Sequence, residues 1–363
     1  MFKKIVERQY FNRNYLHFYH NLLKSFECNC IKPLNYSKVS IDFSLEPIEN
    51  KFILCGYIDG NIIIYNVESF LSDLPQQVSC LHDSKHPIKN TQQLKCVQWY
   101  PVDSGIFFSC GFEKKIKVWD TNKMKCVEEI SITHNTHWLS LSPCARFTNL
   151  IAAACDRNRT ILVDMISGSS THVLTNNLPE AITAVQWSNR EENIVVTGDQ
   201  GGHVSIWDIR TSRKPLYHLD QYQSINTSSN GTPNSQAHCG VIRGIEFSPD
   251  GLAMATLGND GRINVWNIYS SKTVLDDLNF GKIFEADKRG KYVRFCWTGF
   301  SKYRNILVPS DLDIIRLNVV DGSKYHFQSM HFDQITSCIW NITYNQLYSS
   351  SLDSNILYWS FVV

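Results

Sequence analysis

The 363 residues include 35 Lys and Arg against 34 Asp and Glu, a formal net charge of +1, which argues against a protein that coats nucleic acid or an anionic membrane. Apolar residues make up 43% of the chain and charged residues 19%, a composition that supports a sizeable core and excludes a disordered or coiled-coil chain. We therefore expect a globular protein.

Membrane insertion and disulfide bonding are both unexpected from the sequence. No stretch reaches the roughly 18 uninterrupted apolar residues that a membrane span requires. The N-terminal stretch MFKKIVERQYFNRN carries charges where a secretory signal needs apolar residues. In the reducing cytosol or nucleus, the 12 Cys are expected to be small buried apolar residues with free thiols.

Residues 1–27 are predicted to form a helical hairpin, because apolar residues recur there at helical intervals of three and four. The apolar face could pack on the rest of the chain or fill the groove of a partner, and we expect the partner. The residues assigned to this docking face are Ile5, Val6, Leu16, Tyr19, Leu23 and Phe26.

Residues 28–363 contain one unit seven times: three apolar runs separated by turns, the last run closing on an aromatic or apolar residue. The spacing averages 49 residues, a little above the roughly 40–45 of a WD-repeat blade. The sequence therefore predicts an all-β, seven-bladed WD-repeat β-propeller with an N-terminal helix-turn-helix extension. The closing residues are Tyr65, Trp119, Val163, Trp207, Trp266, Leu317 and Trp359.

The residue six positions before the closing residue is acidic in five of the seven units. A carboxylate there can accept backbone N–H bonds within a tight turn. Two units add a His and a hydroxyl at identical spacing, and this recurrence favours a structural hydrogen-bond chain over a catalytic triad. The two sets are His238, Thr256, Asp260 and Trp266, and His331, Ser349, Asp353 and Trp359.

The seventh unit has candidates for three strands only, namely Ile335–Trp340, Gln346–Ser350 and Asn355–Phe361. An unpaired sheet edge would leave the ring open. The apolar segment around Cys28–Leu34 is therefore expected to supply the fourth strand, so that the propeller closes by pairing its two ends.

Three long connections, Val78–Gln93, Gln221–His238 and Gly281–Lys291, are each expected to join the outer strand of one blade to the inner strand of the next. Such connections emerge on one face of a propeller, so this face is expected to bind the target. The third connection carries the target-binding candidates Lys288, Arg289 and Lys291, with Arg294 on the strand that follows. It could also be a solvated turn, since Glu285 and Asp287 offset much of its charge.

The segment Trp207-Asp208-Ile209-Arg210 resembles the motif by which a subset of WD-repeat proteins dock on the damaged-DNA-binding adaptor subunit of cullin-4 ubiquitin ligases. A guanidinium suits such a contact because its planar fork donates two parallel hydrogen bonds. Gly201 stands where the family motif has Asp. Arg210 follows the third strand, so we expect it on the face opposite the long connections, although it could instead cap its own loop.

Two longer segments, Val97–Asn122 and Ala237–Asn267, are similar to the second and fifth blades of the Cockayne syndrome group A family, and the resemblance spans the chain. It implies a nuclear substrate-recognition subunit of a cullin-4 RING E3 ubiquitin ligase in transcription-coupled nucleotide excision repair. The implied partners are the adaptor, repair factors of the Cockayne syndrome group B type and stalled RNA polymerase II. The acidic tail of the animal members is absent here.

Other function classes have little support in the sequence. The pairs His17/His20 and His134/His137 have a metal-binding spacing without a third ligand, and no phosphate-binding loop is present. We therefore expect no enzyme activity, metal or cofactor. Direct binding of damaged DNA would need a basic face with aromatic wedges, and only residues 288–294 suggest one, so direct DNA contact is not expected. A generic WD-repeat scaffold is the other alternative.

Overall fold

The strands follow the repeated apolar runs of the sequence, because alternate side chains of each run can be buried between neighbouring sheets. The computed structural model describes residues 26–30, 39–68, 77–81, 94–123, 125–143, 149–176, 178–220, 236–268, 282–283, 292–298 and 305–361. Residues 1–25, most of the predicted hairpin, lie outside this part of the chain. So do Lys288, Arg289 and Lys291.

The described residues form seven antiparallel sheets, numbered here in chain order, each with its innermost strand first. Sheet 1 consists of β2 (Ser40–Leu45), β3 (Phe52–Tyr57), β4 (Ile62–Asn66) and β5 (Gln77–Leu81). Sheet 2 consists of β6 (Leu94–Trp99), β7 (Ile106–Gly111), β8 (Lys115–Asp120) and β9 (Lys125–Ser131). Sheet 3 consists of β10 (Thr136–Leu141), β11 (Leu150–Cys155), β12 (Arg159–Asp164) and β13 (Ser169–Leu174). Sheet 4 consists of β14 (Ile182–Trp187), β15 (Ile194–Asp199), β16 (Val204–Asp208) and β17 (Tyr217–Leu219). Sheet 5 consists of β18 (Ile242–Phe247), β19 (Ala253–Gly258) and β20 (Ile263–Asn267). Sheet 6 consists of β21 (Cys296–Trp297), β22 (Asn305–Ser310), β23 (Asp313–Asn318) and β24 (Lys324–Gln328). Sheet 7 consists of β25 (Ile335–Asn341), β26 (Gln346–Ser351), β27 (Ile356–Phe361) and β1 (Phe26–Cys30).

The inner strands β2, β6, β10, β14, β18, β21 and β25 contact one another in sequence around a central channel, and β25 returns to β2. This closed ring is the predicted all-β, seven-bladed propeller, which the structure confirms. A single turn of 3-10 helix, Ile209–Thr211, follows β16.

The strand that completes sheet 7 begins at Phe26, two residues before the predicted start of the propeller. Phe26 pairs with Phe361, and Cys30 pairs with Leu357. Phe26 therefore lies in a strand and not on the predicted helical face. The physical reason is the edge of β27, whose backbone groups need a partner strand.

The core lies between neighbouring sheets, where the closing residue of one unit packs on the sheet before it. Trp119 is buried against Leu54 and Ile64 of sheet 1 and stacks on Phe107, with ring centroids 5.8 Å apart. Trp207, Trp266 and Trp359 lie in core clusters with residues of sheets 3, 4 and 6, respectively, so the repeat period of the sequence becomes the period of the core.

Eight cysteines have side chains that the structure describes, and all eight are free thiols. Those in β3, β6, β7, β11 and β25 are buried, whereas Cys239 is exposed. Burial raises the pKa of Cys155 to about 12, which keeps this thiol protonated and unreactive at neutral pH. Within the described ranges, no helix has the length and apolar character needed to cross a bilayer.

Candidate functional site: two faces of the propeller

The guanidinium of Arg210 is exposed and held in place by Asp208. Its Nε donates to Asp208 Oδ1 at 3.0 Å and its Nη2 to Oδ2 at 2.6 Å, while 70% of the Arg210 side chain remains exposed. Asp208 Oδ1 also accepts from the backbone N–H of Arg210 at 2.9 Å and so caps the 3-10 turn. Hydrogen bonds from Arg210 lower the pKa of Asp208, so the pair stays ionised at neutral pH.

The residue before this pair is buried and tied to the neighbouring strand. Trp207 donates its indole N–H to Thr197 Oγ1 at 2.9 Å. The turn between β15 and β16 has Gly201 at the usual acidic position, and Asp199 takes over the task by accepting from the backbone N–H of His203 at 2.8 Å. The motif therefore consists of a buried tryptophan and an exposed arginine, and the preceding turn is held by Asp199 and not by a carboxylate at position 201.

Strand register places Arg210 on one face of the disc and the described residues that flank the long connections on the other. Asp208, where β16 ends, pairs with Ile194, whereas Val204 at the opposite end pairs with Leu219, after which the connection to β18 begins. The same opposite end holds the turn at Gly202, whose C=O accepts from His238 at 3.1 Å. We call these the Arg210 face and the connection face.

Two other long connections share the connection face at the residues that flank them. Leu81 pairs with Ile62, the first residue of β4, and Leu94 pairs with Gly111, the last residue of β7. In the third connection, Ile283 donates its N–H to the C=O of Gly261 in the β19–β20 turn at 2.7 Å. All three connections thus begin or pass at the edge opposite Arg210.

In sheet 5, His238 links a turn to the closing tryptophan. Its Nε2 lies 2.8 Å from Thr256 Oγ1, which accepts from Trp266 Nε1 at 2.8 Å, and its Nδ1 lies 3.2 Å from Asp260 Oδ1. Gly258 allows this packing, since a Cβ there would lie 2.4 Å from the imidazole. The imidazole is fully buried and has no access to a substrate.

Sheet 7 repeats the arrangement. His331 Nε2 lies 2.9 Å from Ser349 Oγ, which accepts from Trp359 Nε1 at 2.9 Å, and Nδ1 lies 3.0 Å from Asp353 Oδ2. Burial raises the pKa of this aspartate, but hydrogen bonds from His331 and from backbone amides outweigh burial, so its pKa is lowered overall. In each of the two sheets, the histidine, hydroxyl, aspartate and tryptophan are thus hydrogen-bonded to one another, and these bonds hold the strands and turns of that blade together.

The channel contains a buried ion pair that the sequence did not reveal. Arg294 Nε and Nη2 donate to the two carboxylate oxygens of Asp42 at 3.0 and 3.2 Å, and the guanidinium lies 4.7 Å from the ring centroid of Trp138. The Tyr292 ring stacks on that of Trp138. Arg294 is therefore neutralised inside the channel and does not extend the basic surface expected from residues 288–294.

The Asp42–Arg294 ion pair and the stacked Trp138 and Tyr292 rings lie between two cavities. The cavity of about 280 Å³ towards the Arg210 face is lined by Glu246, Cys296 and Cys338, and the sulfur atoms of the two cysteines are 3.9 Å apart. Burial raises the pKa of Glu246 to about 7, although Arg294 opposes the shift. The second cavity, of about 240 Å³, opens towards the connection face.

The described residues contain no cluster of three or more His, Cys, Asp or Glu that could hold a metal ion. Of the two His pairs with metal-like spacing, His17/His20 lies outside the described ranges. In the second pair, His137 Nε2 lies 2.6 Å from Asp156 Oδ1, on the connection face between sheets 2 and 3. His137 thus has a carboxylate partner of its own.

The chain is similar to proteins of the WD-repeat class. A family model described as the N-terminal β-propeller domain of nucleolar protein 10-like proteins matches residues 122–282. The WD repeat-containing protein ATCSA-1 of Arabidopsis thaliana is 23% identical over 380 residues, which covers 86% of this chain and 83% of the relative.

Two further relatives match part of the chain. Radiation-sensitive protein 28 of Saccharomyces cerevisiae is 26% identical over 192 residues, covering 48% of this chain and 38% of the relative. The U5 small nuclear ribonucleoprotein 40 kDa protein of Dictyostelium discoideum is 30% identical over 124 residues, 34% of each chain.

Proposed function

We propose that this WD-repeat protein is the nuclear substrate-recognition subunit of a cullin-4 RING E3 ubiquitin ligase in transcription-coupled nucleotide excision repair. In this role it binds the damaged-DNA-binding adaptor subunit with its Arg210 face and presents proteins at stalled RNA polymerase II with its connection face. Repair factors of the Cockayne syndrome group B type are the expected targets. The chain performs no chemistry and needs no cofactor.

The observation that carries the proposal is the exposed Arg210 guanidinium, fixed by Asp208 on the face opposite the long connections. A fixed guanidinium loses little conformational freedom when it binds carbonyl or carboxylate oxygens of a partner. Residues 1–25 are proposed to extend the adaptor-binding surface through the apolar residues of the predicted hairpin.

Similarity to ATCSA-1 over most of both chains supports this assignment, and similarity to a yeast protein named for radiation sensitivity agrees with a role in DNA repair. The mechanism is tethering. A receptor that holds target and ligase together raises the effective concentration of the target beside the ubiquitin-carrying enzyme.

The test is co-purification of the adaptor with Arg210→Glu combined with deletion of residues 1–25. Deletion stops before Phe26 because β1 begins there. We expect the variant to melt like the wild type but to lose the adaptor. Arg213→Glu, which changes an exposed arginine three positions further along, is the matched control and should retain the adaptor. Normal adaptor binding by the Arg210 variant would refute the docking model.

The second candidate is a WD-repeat scaffold outside ubiquitin ligation. It is favoured by the similarity to proteins with other names, such as the U5 ribonucleoprotein subunit. Failure of the wild-type chain to co-purify with the adaptor would favour it. Direct binding of damaged DNA loses support, since Arg294 is paired with Asp42 in the channel.

A further inference from the structure

The connection face carries unmatched cations on the rim of sheets 2 and 3. Lys114 lies in the β7–β8 turn, Arg157 in the β11–β12 turn, and Arg159 begins β12. All three side chains are exposed. Among the described residues, none of the three is engaged in an ion pair or a side-chain hydrogen bond. We call these three residues the cationic rim.

Backbone hydrogen bonds bring the two turns together. The N–H of Ile132 donates to the C=O of Lys114 at 2.7 Å, and the N–H of Asp156 donates to the C=O of Asn135 at 3.2 Å. The short segment between Ile132 and Asn135 therefore spans the two turns, and His134 lies at its middle.

The pKa of His134 reflects the positive charge around its imidazole. Partial burial lowers its pKa, and the charges of Arg159, Arg157 and Lys114 lower it further, against an opposing effect of Asp156. All members of the cationic rim thus act on one imidazole.

The neighbouring carboxylates are engaged with other side chains. Asp156 Oδ1 lies 2.6 Å from His137 Nε2, and Glu129 Oε2 lies 2.6 Å from Lys115 Nζ. Glu113, next to Lys114, pairs with Lys117 at 2.7 Å. The rim is left with a local excess of positive charge in a chain whose formal net charge is +1.

Arg157 occupies the position that is acidic in five of the seven repeats. In sheet 5 the corresponding Asp260 accepts a backbone N–H bond from Arg262 of its own turn at 3.1 Å and another from Cys239, in the connection before β18, at 3.0 Å. Arg157 instead has φ of 59° in the left-handed region, which a side chain other than glycine adopts at an energetic cost. The substitution inverts the charge of this turn and points to a partner with negative charge.

The cavity at the mouth of the channel lies beside the rim. Its lining includes Trp138, Tyr292, Ile41 and Phe112, and its volume of about 240 Å³ suits a single apolar side chain. The Phe112 ring lies 5.9 Å from that of His137, so these two side chains connect the mouth to the sheet 3 turn. A nucleic acid duplex cannot enter a cavity of this size, whereas an extended peptide can place one side chain in it and others on the rim.

We propose that the channel mouth and the cationic rim together bind an acidic peptide segment of a partner protein, with one apolar side chain in the mouth and carboxylates on Lys114, Arg157 and Arg159. The inference rests on the proposed function only in assigning the target to the connection face, and it needs no adaptor. Paired opposite charges across such a surface favour fast and selective association.

Fluorescence anisotropy of the full chain tests the proposal with a fluorescein-labelled peptide that has one tryptophan followed by six Asp and Glu separated by glycines. The comparison peptide carries Asn and Gln in place of the acids. We expect the acidic peptide to bind at least tenfold more tightly, with an affinity that falls as salt rises. Equal affinity of the two peptides would overturn the proposal.

The variant Lys114→Glu/Arg157→Glu/Arg159→Glu should weaken binding of the acidic peptide at least tenfold. The control Arg262→Glu/Lys282→Glu/Lys324→Glu changes the charge equally at exposed residues outside the rim and should bind like the wild type. Unchanged binding by the rim variant, or equal loss in both variants, would contradict the assignment. Arg157→Gly/Arg159→Gln supplies the test if the triple variant does not fold, since glycine tolerates the left-handed turn.

Two further measurements distinguish a peptide site from a nucleic acid site. The pKa of His134, followed by NMR, should rise when the acidic peptide binds. A 12-nucleotide single strand that binds more tightly than the peptide and displaces it would instead show a nucleic acid site.

The rim variant should still co-purify with the adaptor. Failure of the peptide to bind while the adaptor does would overturn this inference alone.

Discussion

A hydroxyl ten residues before the closing tryptophan accepts the indole N–H in four sheets. The acceptor–donor pairs are Ser109–Trp119, Thr197–Trp207, Thr256–Trp266 and Ser349–Trp359, at 2.8 to 2.9 Å. In sheets 5 and 7 the same hydroxyl also contacts a buried histidine. This hydrogen bond therefore depends on the strand register of the blade. In sheets 5 and 7 the histidine links the hydroxyl to the aspartate of the turn before the third strand.

Thr256→Val should destabilise the protein by about 2 kcal/mol, because it keeps the shape of the side chain but leaves the Trp266 indole N–H and the His238 ring without their partner. Urea unfolding measures the loss. Thr133→Val, at an exposed threonine, should change the free energy of unfolding by less than about 0.5 kcal/mol. A difference below this value for Thr256→Val would show that the chain of hydrogen bonds carries little stability.

Glu246 makes stability depend on pH. Burial raises its pKa from 4.5 to about 7, so the folded protein retains a proton that the unfolded chain releases above pH 4.5. The stabilising contribution is complete below pH 4.5 and is lost as pH rises through 7.

Glu246→Gln should consequently be more stable than the wild type at pH 8, by up to about 3 kcal/mol, and similar to it at pH 4.5. The effect is smaller to the extent that the carboxyl meets water in the channel. Thermal melts at the two pH values measure the difference, with Glu128→Gln at an exposed position as control. Equal stability of wild type and Glu246→Gln at pH 8 would contradict a buried, raised-pKa carboxyl.

At the scale of the element, β1 completes sheet 7 by pairing five residues with β27. Deletion of residues 1–25 should leave the melting temperature unchanged, whereas deletion of residues 1–30 should cost about 3 kcal/mol through lost backbone hydrogen bonds. Differential scanning calorimetry of the two truncations measures this. If both melt alike, the pairing of the chain ends contributes nothing to closure.

The strands were predictable because each apolar run repeats at the blade period. The observed β25, β26 and β27 differ from the predicted Ile335–Trp340, Gln346–Ser350 and Asn355–Phe361 by a residue at a boundary. Phe26 was misplaced because Leu23 and Phe26 fit helical spacing, and the competing demand for an edge partner comes from Phe361 at the far end of the chain.

The functional residues were less predictable than the strands. The Arg210 motif is local, and its spacing alone placed it at the end of β16. In contrast, Arg294 lies 252 positions from Asp42, and no local pattern connects a basic loop to a buried carboxylate. Arg157 did carry a signal, because it places a cation in a position that is acidic in five of the seven repeats, but its meaning required the contact of its turn with the segment around His134.

At the scale of the whole molecule, the ring is a rigid spacer between two surfaces. Inner strands of neighbouring sheets are joined around the channel by bonds such as Val97 N–H to Asp42 Oδ2 at 3.0 Å and Thr183 Oγ1 to the C=O of Ile242 at 2.7 Å. These bonds fix neighbouring blades relative to each other. A partner on the Arg210 face and one on the connection face are therefore held at a set separation.

This account predicts that the two faces fail independently. Arg210→Glu with deletion of residues 1–25 should lose the adaptor and keep the acidic peptide. The rim variant Lys114→Glu/Arg157→Glu/Arg159→Glu should lose the peptide and keep the adaptor. Both variants should unfold cooperatively at the temperature of the wild type.

The most direct test is a bridging experiment in which immobilised adaptor captures the labelled acidic peptide only when this chain is present. The account predicts capture by the wild type and by the control Arg262→Glu/Lys282→Glu/Lys324→Glu, and no capture by either face variant. Capture that persists after the change at Arg210 and the deletion of residues 1–25, or adaptor and peptide that compete for the chain, would contradict a receptor that holds two partners on opposite faces.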